Sequence, residues 1–132
     1  MNSDAPRRAR LTSFAPQFLV DDLPGAIAYY RDRLGFTFGE PIGGFYAIGT
    51  RNGFQLHLKD APKLSGERQH RQVNEHLDAY AGVDDVDGFY AECGERGANI
   101  IKPLAERPWG TKDSYVQDPE GYILGFGGPP SP

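Results

Sequence analysis

Val20-Asp21-Asp22-Leu23 and Val83-Asp84-Asp85-Val86 are two copies of one pattern, sixty-three residues apart, and they decide the fold. At the same offset Gly25 matches Gly88, Ala28 matches Ala91 and Arg33 matches Arg96. Identities that keep one register over such a span mark an internal duplication, in which one supersecondary unit is used twice.

Working outward from the two aspartate pairs, each copy opens alike. Phe14 to Val20 and Leu77 to Val83 read as strands that stop at the aspartates. An aspartate there suits a helix N-cap, because its carboxylate accepts from the unpaired N–H groups of the first turn. Pro24 fits that first turn, where a missing N–H costs nothing. Ile27, Tyr30 and Leu34 then fall on one helical face, as do Val86, Phe89, Tyr90 and Cys93 in the second copy. Gly35 and Gly97 close the helices. Three short strands follow in each copy: Phe36 to Phe38, Phe45 to Gly49 and Phe54 to Leu58, then Asn99 to Ile101, Asp113 to Gln117 and Tyr122 to Phe126. Gly43-Gly44, Arg51-Asn52-Gly53 and Asp118-Pro119-Glu120-Gly121 supply the turns. The chain is therefore predicted to be α+β, two tandem βαβββ modules. Their boundaries are 11–59 and 75–127, joined by a polar linker at 60–74 into one domain spanning 11–127. Residues 1–10 and 128–132 are read as flexible tails.

Composition narrows the function classes. The 132 residues are 39% hydrophobic and 24% charged, as in a soluble globular domain. The net charge of −4 gives no footprint for nucleic acid, and the one basic cluster, Arg7, Arg8 and Arg10, is too short to make one. A mildly acidic surface instead favours a cationic small molecule. A single cysteine, Cys93, excludes an internal disulfide and a cysteine-rich metal site. No apolar run reaches the length of a membrane span, and the N-terminal arginines are followed by Leu11-Thr12-Ser13-Phe14-Ala15-Pro16, which does not read as a secretory apolar core. A cytoplasmic protein with no membrane and no nucleic-acid partner is the expectation.

The opening that ends Tyr29-Tyr30-Arg31-Asp32-Arg33-Leu34-Gly35-Phe36 resembles that of the glyoxalase/bleomycin-resistance/dioxygenase (vicinal-oxygen-chelate) superfamily. So does the ending, Pro108-Trp109-Gly110 followed by Asp118-Pro119-Glu120-Gly121, which is most similar to bleomycin-resistance proteins. The resemblance spans residues 11 to 127. It implies modules whose strands form a cupped, mostly antiparallel sheet with the helices outside, a homodimer, and a ligand site in the cup.

The resemblance also implies four positions for metal donors, one on each of four strands. Counted from the aspartate pairs and from Gly121, they are Ala15, Asp78, Gln55 and Gly125. Ala15 and Gly125 carry no donor atom, and Gln55 is a neutral, weak one. Octahedral divalent ions prefer imidazole and carboxylate. No metal, no other cofactor and no catalytic residue is expected. The competing reading keeps a degenerate site around His57 and Asp78, and with it a metal-dependent isomerase, lyase or dioxygenase. His70 and His76, in or beside the linker, read as solvated, and Cys93 as inert core.

The ligand site is then drawn from alternation along the strands. Phe54, Leu56 and Leu58 should pack beneath a helix, leaving Gln55 and His57 facing the cup. Asp78, Tyr80 and Tyr115 should face inward, with Leu77, Ala79, Ala81 and Val83 packed outward. By resemblance, Phe45 and Trp109 occupy the places of an aromatic clamp on a flat ligand. The plain alternatives are strand core for Phe45 and a rim anchor for Trp109. The expected partner is a small planar ligand, cationic ones included, bound by Phe45, Gln55, His57, Asp78, Trp109 and Tyr115. The function read here is binding and sequestration, of a drug or antibiotic for example, without chemistry.

Overall fold

Both aspartate pairs do at the backbone what their chemistry suggests. In the computed structural model, which describes residues 13–61, 77–108 and 110–130, Asp22 caps helix α1 (Leu23–Leu34) and Asp85 caps helix α2 (Val86–Arg96). Their carboxylates accept from Gly25 N at 3.1 Å and Gly88 N at 2.9 Å. The repeated glycines have a steric reason, since a Cβ at either one would run into the capping carboxylate. Gly35 and Gly97 end the helices with φ of 77° and 75°, the left-handed conformation glycine adopts without strain.

Each helix is followed by three strands, and each sheet has four. In the first, β1 (Gln17–Val20), β4 (Phe54–Asp60), β3 (Tyr46–Arg51) and β2 (Thr37–Phe38) lie in that order, with β1 parallel to β4 and the rest antiparallel. The second repeats the scheme with β5 (Ala79–Gly82), β8 (Ile123–Gly128), β7 (Lys112–Gln117) and β6 (Ile100–Glu106). This is the α+β pair of βαβββ modules that the sequence implies. The strand read at Asn99 to Ile101 in fact runs on to Glu106, through two register shifts against β7. Most of the linker read at 60–74, the N-terminal arginines, His70, His76 and Trp109 lie outside the described residues.

One core serves both modules. Leu56, Leu58, Phe18 and Val20 of the first sheet join Tyr30 and Leu34 of α1, and the same cluster takes in Cys93, Val116, Leu124 and Phe126 from the second module. Burial pushes the Cys93 thiol up to about 11, which suits an inert core residue. Helix α1 reaches across the junction. Tyr29 Oη accepts from Asn99 N and donates to the Gln117 carbonyl, while Tyr30, fully buried, donates to Asp118 at 2.8 Å. Burial raises the pKa of both phenols, that of Tyr30 strongly.

The turn Asp118-Pro119-Glu120-Gly121 is the latch between the modules. Glu120, only 4% exposed, accepts from Asp21 N at 2.7 Å and Asp22 N at 2.9 Å, placing a carboxylate on the positive end of α1. Asp118 accepts from Glu120 N and Tyr122 N, and burial raises its pKa to about 6 despite these donors. Tyr122 stacks on Phe18 at 4.2 Å and exchanges hydrogen bonds with the Leu19 backbone. Arginines tie the other helix ends together: Arg33 donates to the Arg96 carbonyl and Arg51 to that of Leu34.

Candidate functional site

Alternation along β4 divides that strand between core and open face. Leu56 and Leu58 are buried in the core, so Gln55 and His57 point to the opposite side, as expected. Phe54 departs from the expectation. It is 76% exposed at the start of the strand. For Phe45 the strand start and the strand-core alternative are corrected. Strand β3 begins one residue later, Ala47 is its core-facing residue, and Phe45 is 48% exposed at the hairpin end, edge-on to Tyr46.

The residue beside His57 is thus Tyr46, which sequence reasoning passed over. The open face of the first sheet carries one directional chain of hydrogen bonds. Gln17 Nε2 donates to Tyr46 Oη at 2.9 Å, Tyr46 Oη lies 2.8 Å from His57 Nδ1, and His57 Nε2 lies 3.1 Å from Gln55 Oε1. A carbonyl oxygen can only accept, so His57 carries its proton on Nε2 and accepts from Tyr46 on Nδ1. Both ring nitrogens are engaged. The Gln55 amide nitrogen remains as the donor at the end of the chain. Alternation from Ala47 would have put Tyr46 on this face, but Gln17 needed the parallel register that sets it opposite His57.

The open face of the second sheet is aromatic and closely packed. Register places Tyr80, Gly125 and Tyr115 side by side, and Tyr80 Oη donates to Asp113 at 2.9 Å. Burial and this carboxylate raise the Tyr80 pKa. Thr111 supplies a second donor to Asp113, and the Arg107 guanidinium lies 5.4 Å from the centre of the Tyr115 ring. Tyr115 and Tyr80 therefore face as expected. Ala81 does not pack outward, being exposed, whereas Leu77, Ala79 and Val83 are half-buried. Asp78 is tied to the sheet, its Oδ2 accepting from Ile123 N at 2.8 Å. The structure thus groups Phe45, Gln55 and His57 on one sheet, and Asp78 and Tyr115 on the other.

These positions do not fit a divalent metal. A Cβ built on Gly125 would stand 2.9 Å from Leu77 Cδ1, 3.1 Å from Tyr80 Cδ1 and 3.4 Å from Tyr115 Cε1, so side chains already fill the space a donor there would need. Among the described residues no three His, Cys, Asp or Glu side chains converge as metal ligands. No described helix is long and apolar enough to cross a membrane.

Two βαβββ units that share one core, each presenting an open sheet face, define a paired-module architecture. The chain belongs to the Glyoxalase/Bleomycin resistance protein/Dioxygenase superfamily, whose profile matches residues 10–126. It is 26% identical over 126 residues to the Mycobacterium bovis protein Mb0911c, covering 89% of this chain and 83% of that one. The bleomycin-binding protein of bleomycin-producing Streptomyces verticillus, solved with copper(II)-bleomycin, superposes with a TM-score of 0.69 at 20% identity, over 94% of this chain and all of that one. A lactoylglutathione lyase from Agrobacterium tumefaciens superposes with a TM-score of 0.63 at 21% identity, over 93% and 95% of the two chains. At such identities the likeness is one of fold.

Proposed function

We propose that this chain is a metal-independent binding protein that sequesters a small planar molecule, in the manner of the bleomycin-resistance branch, as a cytoplasmic homodimer with residues 11–127 as its single domain. The observation that carries this reading is Gly125. The fourth donor position of the family's enzymes is closed by Leu77, Tyr80 and Tyr115, so a Lewis acid has no seat there. The pairing of both His57 nitrogens within the sheet supports the same conclusion.

What remains suits a flat guest. Phe45, Tyr46 and His57 present ring faces and edges, each such contact adding about 1 kcal/mol beyond buried area, and Tyr115, 8% exposed, is assigned to the same site from the second sheet. The Gln55 amide and the Asp78 carboxylate supply polar ends, and Trp109 is assigned to the clamp. The Streptomyces verticillus protein, which binds bleomycin, makes bleomycin the molecule to try first, beside other planar and cationic compounds.

Two measurements test the reading. Titration with Ni, Mn, Fe and Zn, followed by elemental analysis, is expected to leave no stoichiometric metal. One bound ion per chain at micromolar affinity would overturn the proposal in favour of a metal-dependent lyase or isomerase. A thermal-shift panel of planar compounds is expected to show ligand-dependent stabilisation, because a ligand that binds only the folded state raises the melting temperature by mass action. A hit should quench Trp109 fluorescence, and Trp109→Ala should weaken it.

A further inference from the structure

The two modules are equivalent in sequence and register, but only one of them is latched. Strand pairing equates Phe18 with Ala81, since they pair with Leu58 and Phe126 at matching places in β1–β4 and β5–β8. The same register equates Tyr122, just before Ile123, with Phe54, just before Gln55. In the first module the latch turn fills the junction: Tyr122 stacks on Phe18, and Glu120 accepts from the N–H groups of Asp21 and Asp22. In the second module every latch element differs. The turn Arg51-Asn52-Gly53 is one residue shorter, Asn52 stands near the place of the glutamate, Ala81 replaces the phenylalanine, and Phe54 is left 76% exposed.

The result is a groove of about 950 Å³, within the range typical of small-molecule sites. Asn52, Phe54, Ala81, Asp84, Asp85 and Phe89 are among its walls. Asp84 and Asp85 match Asp21 and Asp22, and among the described residues their N–H groups have no acceptor. A helix N-terminus alone says little. Here the matching position of the same chain holds a carboxylate, bound through both N–H groups and followed by an aromatic ring two residues on. The latch is thus a template for what the open groove accepts.

We propose that this groove binds a small aromatic carboxylate, its carboxylate held by the N–H groups of Asp84 and Asp85 and its ring lying along Phe54 over Ala81. The groove shares Gln55 and Tyr80 with the open faces assigned above, but the anion contacts proposed here are the N–H groups of Asp84 and Asp85, which that reading does not use, so shifts at those two amides report this site alone. Backbone N–H groups at a helix start favour anions through both hydrogen bonds and the helix dipole. The Asp85 side chain keeps its cap on Gly88, as Asp22 does on Gly25 beside the bound Glu120. Asp84, exposed and without an ion pair among the described residues, opposes an incoming anion, and that makes it diagnostic.

The test is a titration of ¹⁵N-labelled full chain with 3-phenylpropionate, followed by amide NMR, beside the neutral 3-phenylpropanamide. Expected are saturable shifts at Asp84 and Asp85 with the acid, and binding at least about tenfold weaker with the amide, the loss of a charge-assisted pair. Asp84→Asn should tighten the acid by about fivefold, the effect of removing one like charge near the surface. Ala81→Phe should rebuild the stack seen at Phe18, occupy the place of the ligand ring beside Phe54 and abolish binding while raising the melting temperature. Equal binding of acid and amide, weakening by Asp84→Asn (the sign for a cationic occupant), or no shift at Asp84 and Asp85 would each overturn the proposal. So would shifts that follow protein concentration instead of probe, because a second copy would then cover the groove. Because Asp84 is exposed, its variant remains a fair test if Ala81→Phe does not fold.

Discussion

Removing the latch carboxylate tests the idea that one side chain locks the two modules together. Glu120→Ala deletes two charge-assisted hydrogen bonds, at 2.7 and 2.9 Å, from a residue 4% exposed. Hydrogen bonds to charged groups contribute about 1.5–3 kcal/mol each, so the pair accounts for about 3–6 kcal/mol. That is a large share of the 5–15 kcal/mol, roughly, that holds a domain folded. For a chain of this length each kcal/mol moves the melting temperature by about 4 °C, so a fall of about 12–24 °C is expected in calorimetry. Glu120→Gln retains one acceptor and turns an amide N–H toward the other donor, and should lose roughly half as much. Native-state hydrogen exchange at Asp21 and Asp22 reads the same bonds directly and should speed up in both variants. A melting temperature within about 3 °C of the parent for Glu120→Ala, with exchange at those amides unchanged, would refute the latch.

Three further outcomes are expected. Burial raises the Asp118 pKa to about 6, so between about pH 4 and 6 the folded chain holds a proton that the unfolded chain has released. The Asp118 contribution to stability should therefore fall as pH rises through that window and stay level above it. The parent-minus-Asp118→Asn difference in urea unfolding should change by up to about 3 kcal/mol across it, and a flat difference would sink the assignment. Cys93, buried with its thiol pushed up to about 11, should resist iodoacetamide at pH 8 in the folded chain and react once urea unfolds it. Gly125→Ala should cost about 1–3 kcal/mol by forcing a methyl group between Leu77 and Tyr80, and a chain that melts unchanged would show that the fourth donor position has room.

The fold was legible because its signals are local and occur twice. Asp22 and Asp85 cap, Gly35 and Gly97 close, and alternation in β4 separates Leu56 and Leu58 from Gln55 and His57. The site was legible only where alternation alone decides. Phe45 and Phe54 lie at strand ends, where pairing fixes a side chain least: β3 starts one residue later than read, and Phe54, read as packed beneath a helix, is exposed. Gln17 and Tyr46 depend on which strands lie side by side, information that a hydrophobic pattern does not carry. Glu120 reads locally as a turn residue. Its role as a latch arises between positions 99 residues apart, where it accepts from the Asp21 N–H.

The duplication makes these misses informative. Where the copies agree, as in caps, closing glycines and strand order, the residues follow from the backbone each module must form. Where they differ, the backbone does not demand the difference, so it must answer to something else. Gly125 lies opposite Tyr80 in the second module, in the place where His57 lies opposite Gln17 in the first. One partner is small enough to let Leu77, Tyr80 and Tyr115 close together, and the other is a hydrogen-bonding ring joined to Tyr46 and Gln55. A metal centre would draw its donors from both modules, whereas a packed aromatic wall on one sheet and a polar chain on the other suit a guest with one flat apolar side and one polar side. The same contrast between Glu120 and Asn52 turns a sealed junction in one module into an open groove in the other.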